Sequence, residues 1–247
     1  MIMQCGPIRH RIHDTATSLA RILHVHPTGV QLHAPTDGLT RGEVLAVVHA
    51  ALVEDGTRTG QICRDVKSAV QRGRNCLVLS GRTEHIQSLA AGLRQHDLDP
   101  LVLFGSLKSK ERKLVHDRLS EEGQLLLVAT DRYIGEGFDC PRLDTLFLTF
   151  PISGRERMIQ YIGRILRDHP GKDTVEVHDY LDNDAPMLAA MYRRRQPAYR
   201  QLGFSPSTPT INATSDNHQQ PTIEENEEED KRDLAGSSIS GAEGRGV

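Results

Sequence analysis

Gln160, Gly163, Arg164 and Arg167 stand in the order Gln-x-x-Gly-Arg-x-x-Arg. On a helix, two arginines three positions apart project from one face and can converge on one anion. A guanidinium is planar, forked and permanently charged, which suits the negative charge spread over a transferring phosphoryl group. Gln160 falls one turn earlier, and Gly163 lets a neighbouring backbone approach that face. Spacing alone fits an ordinary solvent-facing helix about equally well, so the surroundings must decide.

Those surroundings are informative. Thr130 and Asp131 follow the apolar run Leu126-Leu-Val-Ala and lead into Gly135-Glu136-Gly137-Phe138-Asp139-Cys-Pro141. A glycine-rich loop at a strand end exposes backbone N–H groups that can hold phosphates, and a carboxylate at its end can orient an arginine or a water. A plain turn would account for Gly135 and Gly137, but less well for Asp139 and Pro141. The means to bind a nucleotide are absent from the sequence. There is no G-x-x-x-x-G-K-[ST], the pair Gly171-Lys172 is followed by Asp173, Leu166 stands where the first glycine of that motif belongs, and no Asp-Glu-x-His or Asp-Glu-Ala-Asp run occurs. An arginine aimed at ATP acts only on a nucleotide that something else holds.

The elements that must position these residues form a regular series. The runs at 76–80 (CLVLS), 101–104 (LVLF), 125–129 (LLLVA), 145–149 (TLFLT) and 175–178 (VEVH) alternate with helical stretches at 83–96, 108–121 and 154–166. Short continuous apolar runs between helices are the pattern of strands buried on both faces. The expected fold class is α/β: a three-layer domain over 73–204 with a mostly parallel sheet and helices on both faces. Residues 1–72 read as a connecting segment, with a strand and turn across 22–32 and helices near 41–54 and 57–72. Residues 205–247, polar and with the acidic run Glu224 to Asp230, read as a disordered tail.

Composition narrows the class further. The 247 residues include 37% apolar and 4% aromatic residues and no Trp, which favours a Leu/Val/Ile-packed core over an aromatic-rich β-sandwich. The net charge is −3, but the residues from 205 onward hold nine acids and three bases, so the body is mildly cationic. The four cysteines form no CxxC pair and the twelve histidines no HExxH frame, so thiols are expected reduced and no metal site is expected. The arginines at 193, 194, 195 and 200 fit either a phosphate grip or a solvated helix face. With no apolar run of membrane-spanning length and no leader-like N-terminus, a cytoplasmic protein is expected.

Taken together, these segments resemble superfamily 2 helicases of the DEAD/DEAH kind, and most closely the restriction-type enzymes of bacterial defence systems. The stretch from Gln160 to Arg167 resembles motif VI, Thr130 to Asp139 resembles motif V, and Leu77-Val-Leu-Ser80-Gly-Arg82 occupies the place of motif IV. Cys5 to Ile12 and His26 to Leu32 resemble the segment that follows the first motor domain. The resemblance implies a second RecA-like domain whose Arg164 and Arg167 reach ATP as arginine fingers. It also implies that Gln160, Gly163, Gly137 and Asp139 shape and couple the ATP cleft, while Ser80, Arg82, Thr130 and Asp131 lie along the nucleic acid. ATP and Mg2+ would be bound only together with a first RecA-like, P-loop domain supplied in cis or in trans. The nucleic acid, with DNA the expected form, would be held through its backbone, and no membrane partner is implied. One residue more than in many relatives separates Thr130 from Asp139, which loosens the individual assignments of Thr130 and Asp131. Two other readings stay open: a catalytically inert nucleic-acid-binding or regulatory module, and the remnant of a split gene, which a start at Met1 downstream of a first motor domain would suit.

Overall fold

Burial explains why the apolar runs become strands. Within β2 (Cys76–Ser80), β4 (Leu126–Thr130) and β5 (Thr145–Leu148) every residue is buried. Alternate residues serve opposite faces: Leu77 and Leu79 join one core, Cys76 and Val78 the other. The computed structural model describes residues 19–30, 38–135, 138–152 and 154–207. The remaining elements are β1 (Ala20–Pro27), α1 (Arg41–Glu54), α2 (Gly56–Gln71), α3 (Thr83–Arg94), β3 (Leu101–Leu103), α4 (Ser109–Ser120), α5 (Asp131–Gly135), α6 (Arg155–Ile165), β6 (Thr174–Leu181), α7 (Pro186–Gln201) and β7 (Ser205–Pro206).

The seven strands run in the order β3-β4-β2-β5-β6-β1-β7, and every pairing is parallel. Ile62 and Val66 of α2 and Ile86, Leu89 and Leu93 of α3 pack on the face carrying Val78, Val128 and Phe147. Met158, Ile162 and Ile165 of α6 and Tyr199 of α7 cover the opposite face with Leu77, Leu127 and Leu146. The expected three layers are therefore present.

Two expected boundaries move. β1 pairs with β6 along its whole length, from Ala20 opposite Thr174 to Pro27 opposite Leu181, so the strand expected within the connecting segment belongs to the same sheet. A strand edge left beside β6 would carry unpaired N–H and C=O groups, and β1 satisfies them. Ser205 and Pro206, grouped with the acidic tail on composition, pair with Ile22 and Leu23, and the Ser207 amide donates to the Leu23 carbonyl at 2.8 Å. The expectations for Cys5 to Ile12, for Gln31 and Leu32, for Gly137 and for residues from 208 onward lie outside the described residues.

The arginine cluster at the C-terminal end divides. Arg193, Arg194 and Arg200 are exposed, but Arg195 is buried and its guanidinium clamps Asp179 on β6 at 2.8 and 3.0 Å. The Tyr199 hydroxyl donates to the same carboxylate at 2.6 Å. Arg195 is thus committed to holding α7 on the sheet and is not available to a phosphate. Across the sheet, Arg58 of α2 pairs with Asp182 at 2.9 Å and donates to the Thr149 carbonyl at 2.7 Å, with both side chains buried.

Two histidines make the fold acid-sensitive. Burial holds His85 down to about 3, and burial with the Arg82 charge nearby holds His49 down to about 4. Unfolded, both titrate near 6.5, so the unfolded chain binds more protons between these values and acidification favours it. The melting temperature should fall as pH drops from 7 towards 4, and should fall less steeply in a His49→Gln, His85→Gln double variant. An unchanged slope in that variant would assign the acid sensitivity elsewhere.

Candidate functional site

In a parallel α/β sheet the loops beyond the carboxyl ends of the strands form the binding surface. Ser80 and Thr130 are register partners, so the ends of β2 and β4 lie side by side. Gly81 continues this edge: a Cβ there would stand 3.3 Å from Phe150 and 3.9 Å from an Asp131 oxygen. Glycine lets the end of β2 settle against both without displacing the Phe150 ring, a feature not legible in the sequence.

The four residues expected along the nucleic acid therefore share one edge, but not one orientation. Ser80 is buried, its hydroxyl sits 2.9 Å from His85 Nδ1, and it accepts the Arg82 amide at 3.3 Å. Its hydroxyl is used inside the domain. Arg82 is exposed, with its guanidinium 3.2 Å from His49 Nδ1, on the rim of an open cavity of about 380 Å³ lined also by Ala46, Val53, Glu54 and Glu84. Thr130 ends β4, buried to 9% exposure, and Asp131 opens the short helix α5. The stretch expected as a glycine-rich loop is thus helical over Asp131–Gly135 before the residues at 136 and 137 that lie outside the described set. The Asp131 carboxylate accepts the Arg132 amide at 2.7 Å, and burial, with the Asp131 charge nearby, pushes the Tyr161 phenol of α6 up to about 12. Motif V and motif VI are neighbours.

A direct bond joins them. Asp139 and Arg167 form an ion pair, with both side chains roughly half exposed. The expectation that Arg164 and Arg167 sit on one helical face needs correction. α6 ends at Ile165, Leu166 is its C-cap, and Arg167 lies on the bend that leads to His169-Pro170-Gly171. Proline disfavours helix in the residue before it and Gly171 takes φ +79°, so the chain turns there.

Lys172, used above only to exclude a P-loop, holds this bend. Its ammonium donates to the carbonyls of Ile165 at 3.1 Å, Arg167 at 2.7 Å and Pro141 at 2.5 Å. It caps the end of α6 and ties it to the loop that carries Asp139. Lys172→Met should cost about 2 kcal/mol, in the range for hydrogen bonds from charged groups, measured by urea unfolding. A loss below about 0.5 kcal/mol would show that the three carbonyls are equally well served by water.

On α6 itself, Gln160, Gly163 and Arg164 share a face. Gln160 is exposed, a Cβ at Gly163 would meet nothing within 4 Å, and the face is open. Arg164 is half-buried, and among the described residues it has no hydrogen-bond or ion-pair partner. No described helix is long and apolar enough to cross a membrane.

Comparison with known proteins places this arrangement. Residues 60–169 match the helicase conserved C-terminal domain family. The probable helicase D10 of Escherichia phage T5 is 25% identical over 142 residues, covering 57% of this chain and 31% of that protein. Transcript termination protein A18 of Fowlpox virus (strain NVSL) is 26% identical over 143 residues, with the same coverage of 57% and 31%. The chain thus spans about a third of the length of the curated relatives it matches. The structure of T4 UvsW shares the fold, with a TM-score of 0.56 and 17% identity over 77% of this chain and 41% of that one. The segments resembling motifs IV, V and VI thus gather at one edge of a parallel seven-stranded sheet, and residues 60–169, which hold them, match the helicase conserved C-terminal domain family.

Proposed function

We propose that this domain is half of an ATP-driven nucleic-acid motor, and that it contributes the guanidinium of Arg164 to ATP bound by a separate P-loop domain. The observation that carries the reading is the contrast between the two motif VI arginines. Arg167 is tied to Asp139, and Lys172 fixes its backbone, whereas Arg164 has no partner among the described residues and lies on the open face beside Gly163. An unpaired, half-buried cation on an open helix face is suited to an anion brought by another body. Asp139 and Arg167 then act as a brace that holds the end of α6 against the motif V loop. A shift of nucleic acid at Thr130 or Asp131 is thereby felt at Arg164.

ATP supplies the phosphoryl group, and this chain offers it a cation only. Asp139 is engaged by Arg167, and we assign Mg2+ coordination to the P-loop domain. Along the nucleic acid, Arg82 and the ends of β2 and β4 form the track, with Ser80 acting through its hold on the Arg82 amide. Backbone contact of this kind gives salt-dependent, sequence-tolerant binding. DNA is the proposed substrate and the cytoplasm the proposed compartment.

The test is nucleic-acid-stimulated ATP hydrolysis with a superfamily 2 P-loop domain fused ahead of the chain. Arg82→Ala should weaken binding to single strands of unrelated sequence by a similar factor and reduce the salt slope by roughly one unit. Loss on one sequence alone would contradict a backbone track.

A further inference from the structure

Away from that edge, β1 and β6 bring five polar side chains to one face of the sheet. His24 and His26 come from β1, and Glu176, His178 and Tyr180 from β6, in alternating register. The rings stack: His24 on His178 with centroids 4.5 Å apart, His26 on His178 at 5.1 Å, and Phe147 on His178 at 4.2 Å. Nothing in the motor reading uses them.

Hydrogen-bond accounting shows what the cluster lacks. The Ser207 hydroxyl lies 3.2 Å from the Leu23 carbonyl, which can only accept, so the hydroxyl must in turn accept from His24 Nδ1 at 3.1 Å. The other ring nitrogen, Nε2, is then a bare lone pair, and it faces Glu176 Oε2 at 3.7 Å. His26 turns Nδ1 toward the Asp65 carboxylate at 3.4 Å, so its proton belongs there. In that tautomer its Nε2 accepts from His178 Nδ1 at 2.9 Å, and His178 Nε2 turns a second lone pair toward Glu176 Oε2 at 3.3 Å. Reversing the tautomers of His26 and His178 only moves the mismatch to Asp65. In the first tautomer two ring lone pairs thus converge on Glu176 Oε2, which is held by the Arg72 guanidinium.

We propose that His24 Nε2, His178 Nε2 and Glu176 Oε2 form a site for one divalent transition cation of the zinc class. One ring nitrogen of each histidine and one carboxylate oxygen of Glu176 lie within 4.8 Å of one another. Tetrahedral zinc with bonds of about 2.0–2.1 Å needs its donors roughly 3.4 Å apart, which the two contacts to Glu176 already approach. The third edge closes when the His24 ring turns out of its stack, a movement open to a side chain that is 30% exposed. Imidazole and carboxylate are the donors that zinc accepts, and two histidines with one glutamate leave a fourth position for water. That position opens beside His24, since His178 and Glu176 are 5% and 10% exposed. The second layer is present: Ser207 and His26 hold the outer nitrogens of the two ligand rings. Arg72 donates to Glu176 Oε2 at 2.8 Å and Arg74 Nε lies 3.6 Å from Oε1, so the ion enters as the half-exposed Arg72 swings out. Bound there, it staples β1 to β6, and through Ser207 it also holds β7.

The proposal is independent of the motor reading and is tested on the full chain. Calorimetric titration with Zn2+ should find one ion per chain, and Zn2+ should raise the melting temperature in a concentration-dependent way. His24→Gln and Glu176→Gln should each weaken the affinity at least tenfold and suppress the thermal shift. Long-range ¹⁵N spectra of the unaltered protein should show the Nε2 resonances of His24 and His178 moving on Zn2+ addition, a readout that does not rely on any variant folding. No binding, ring resonances that stay in place, or an affinity unchanged in both variants would overturn the site.

Discussion

Replacing Arg164 with alanine in the assembled two-domain motor should lower nucleic-acid-stimulated ATP hydrolysis by about a thousandfold, with nucleic-acid binding close to that of the unaltered protein. The expectation follows from where the side chain stands. Arg164 is the motif VI arginine that has no partner among the described residues, on a face of α6 where Gly163 leaves room for an approaching body. A guanidinium that meets the phosphates only in the closed state stabilises the transition state without strengthening the ground state, so the loss should appear in kcat and not in KM. Arg164→Lys should recover little, because an ammonium lacks the planar fork. Arg167→Ala should have a smaller effect, and Asp139→Ala should resemble it, because the two form one brace. Equal losses from Arg164→Ala and Arg167→Ala, with Asp139→Ala harmless, would mean that Arg167 leaves Asp139 and reaches ATP directly.

The largest effect on stability should come from Asp179→Ala, at about 3–5 kcal/mol by urea unfolding. Asp179 is 1% exposed and receives three donors, two from Arg195 and one from Tyr199. Removing the carboxylate leaves a guanidinium buried without its counter-charge, a larger penalty than the net worth of the pair. Replacing both partners together, as Asp179→Leu with Arg195→Met, should be far less costly than Asp179→Ala alone. If the double variant is as unstable as the sum of the two single changes, the buried charge is not the cause.

Most of the fold was legible because its strands are buried on both faces. The apolar runs of β2, β4 and β5 are bounded by polar turns, and the helices between them differ from their expected ends by only a residue or two. β1 was found as a strand but not as part of the sheet. Pairing across some 150 residues leaves no mark in a local pattern, and its half-exposed residues lack the continuous apolar signature. β7 was missed for a related reason, since Ser205 and Pro206 contribute backbone and little side chain.

The candidate site was legible as a set of motifs and not as a geometry. The order Gln160, Gly163, Arg164, Arg167 predicted one helical face, but the helix stops at Ile165 and Arg167 lies beyond its cap. The residues that fix this helix end, Lys172 and the Pro170-Gly171 turn, carry no motif. Lys172 acts through three carbonyls, and a carbonyl is the same in every residue. Gly81 and the His24, Glu176 and His178 cluster were hidden likewise, because their partners are neighbours only after folding.

The proposal that this chain supplies a cation to a nucleotide held by a P-loop domain is tested most directly by the ATP turnover of three samples. The chain alone, a superfamily 2 P-loop domain alone, and the two joined are each assayed with and without single-stranded DNA. The account predicts background rates for each part and a DNA-stimulated rate in the joined protein, on the order of a thousandfold higher, that Arg164→Ala removes. Hydrolysis by the isolated chain, or a joined protein no faster than the sum of its parts, would contradict it.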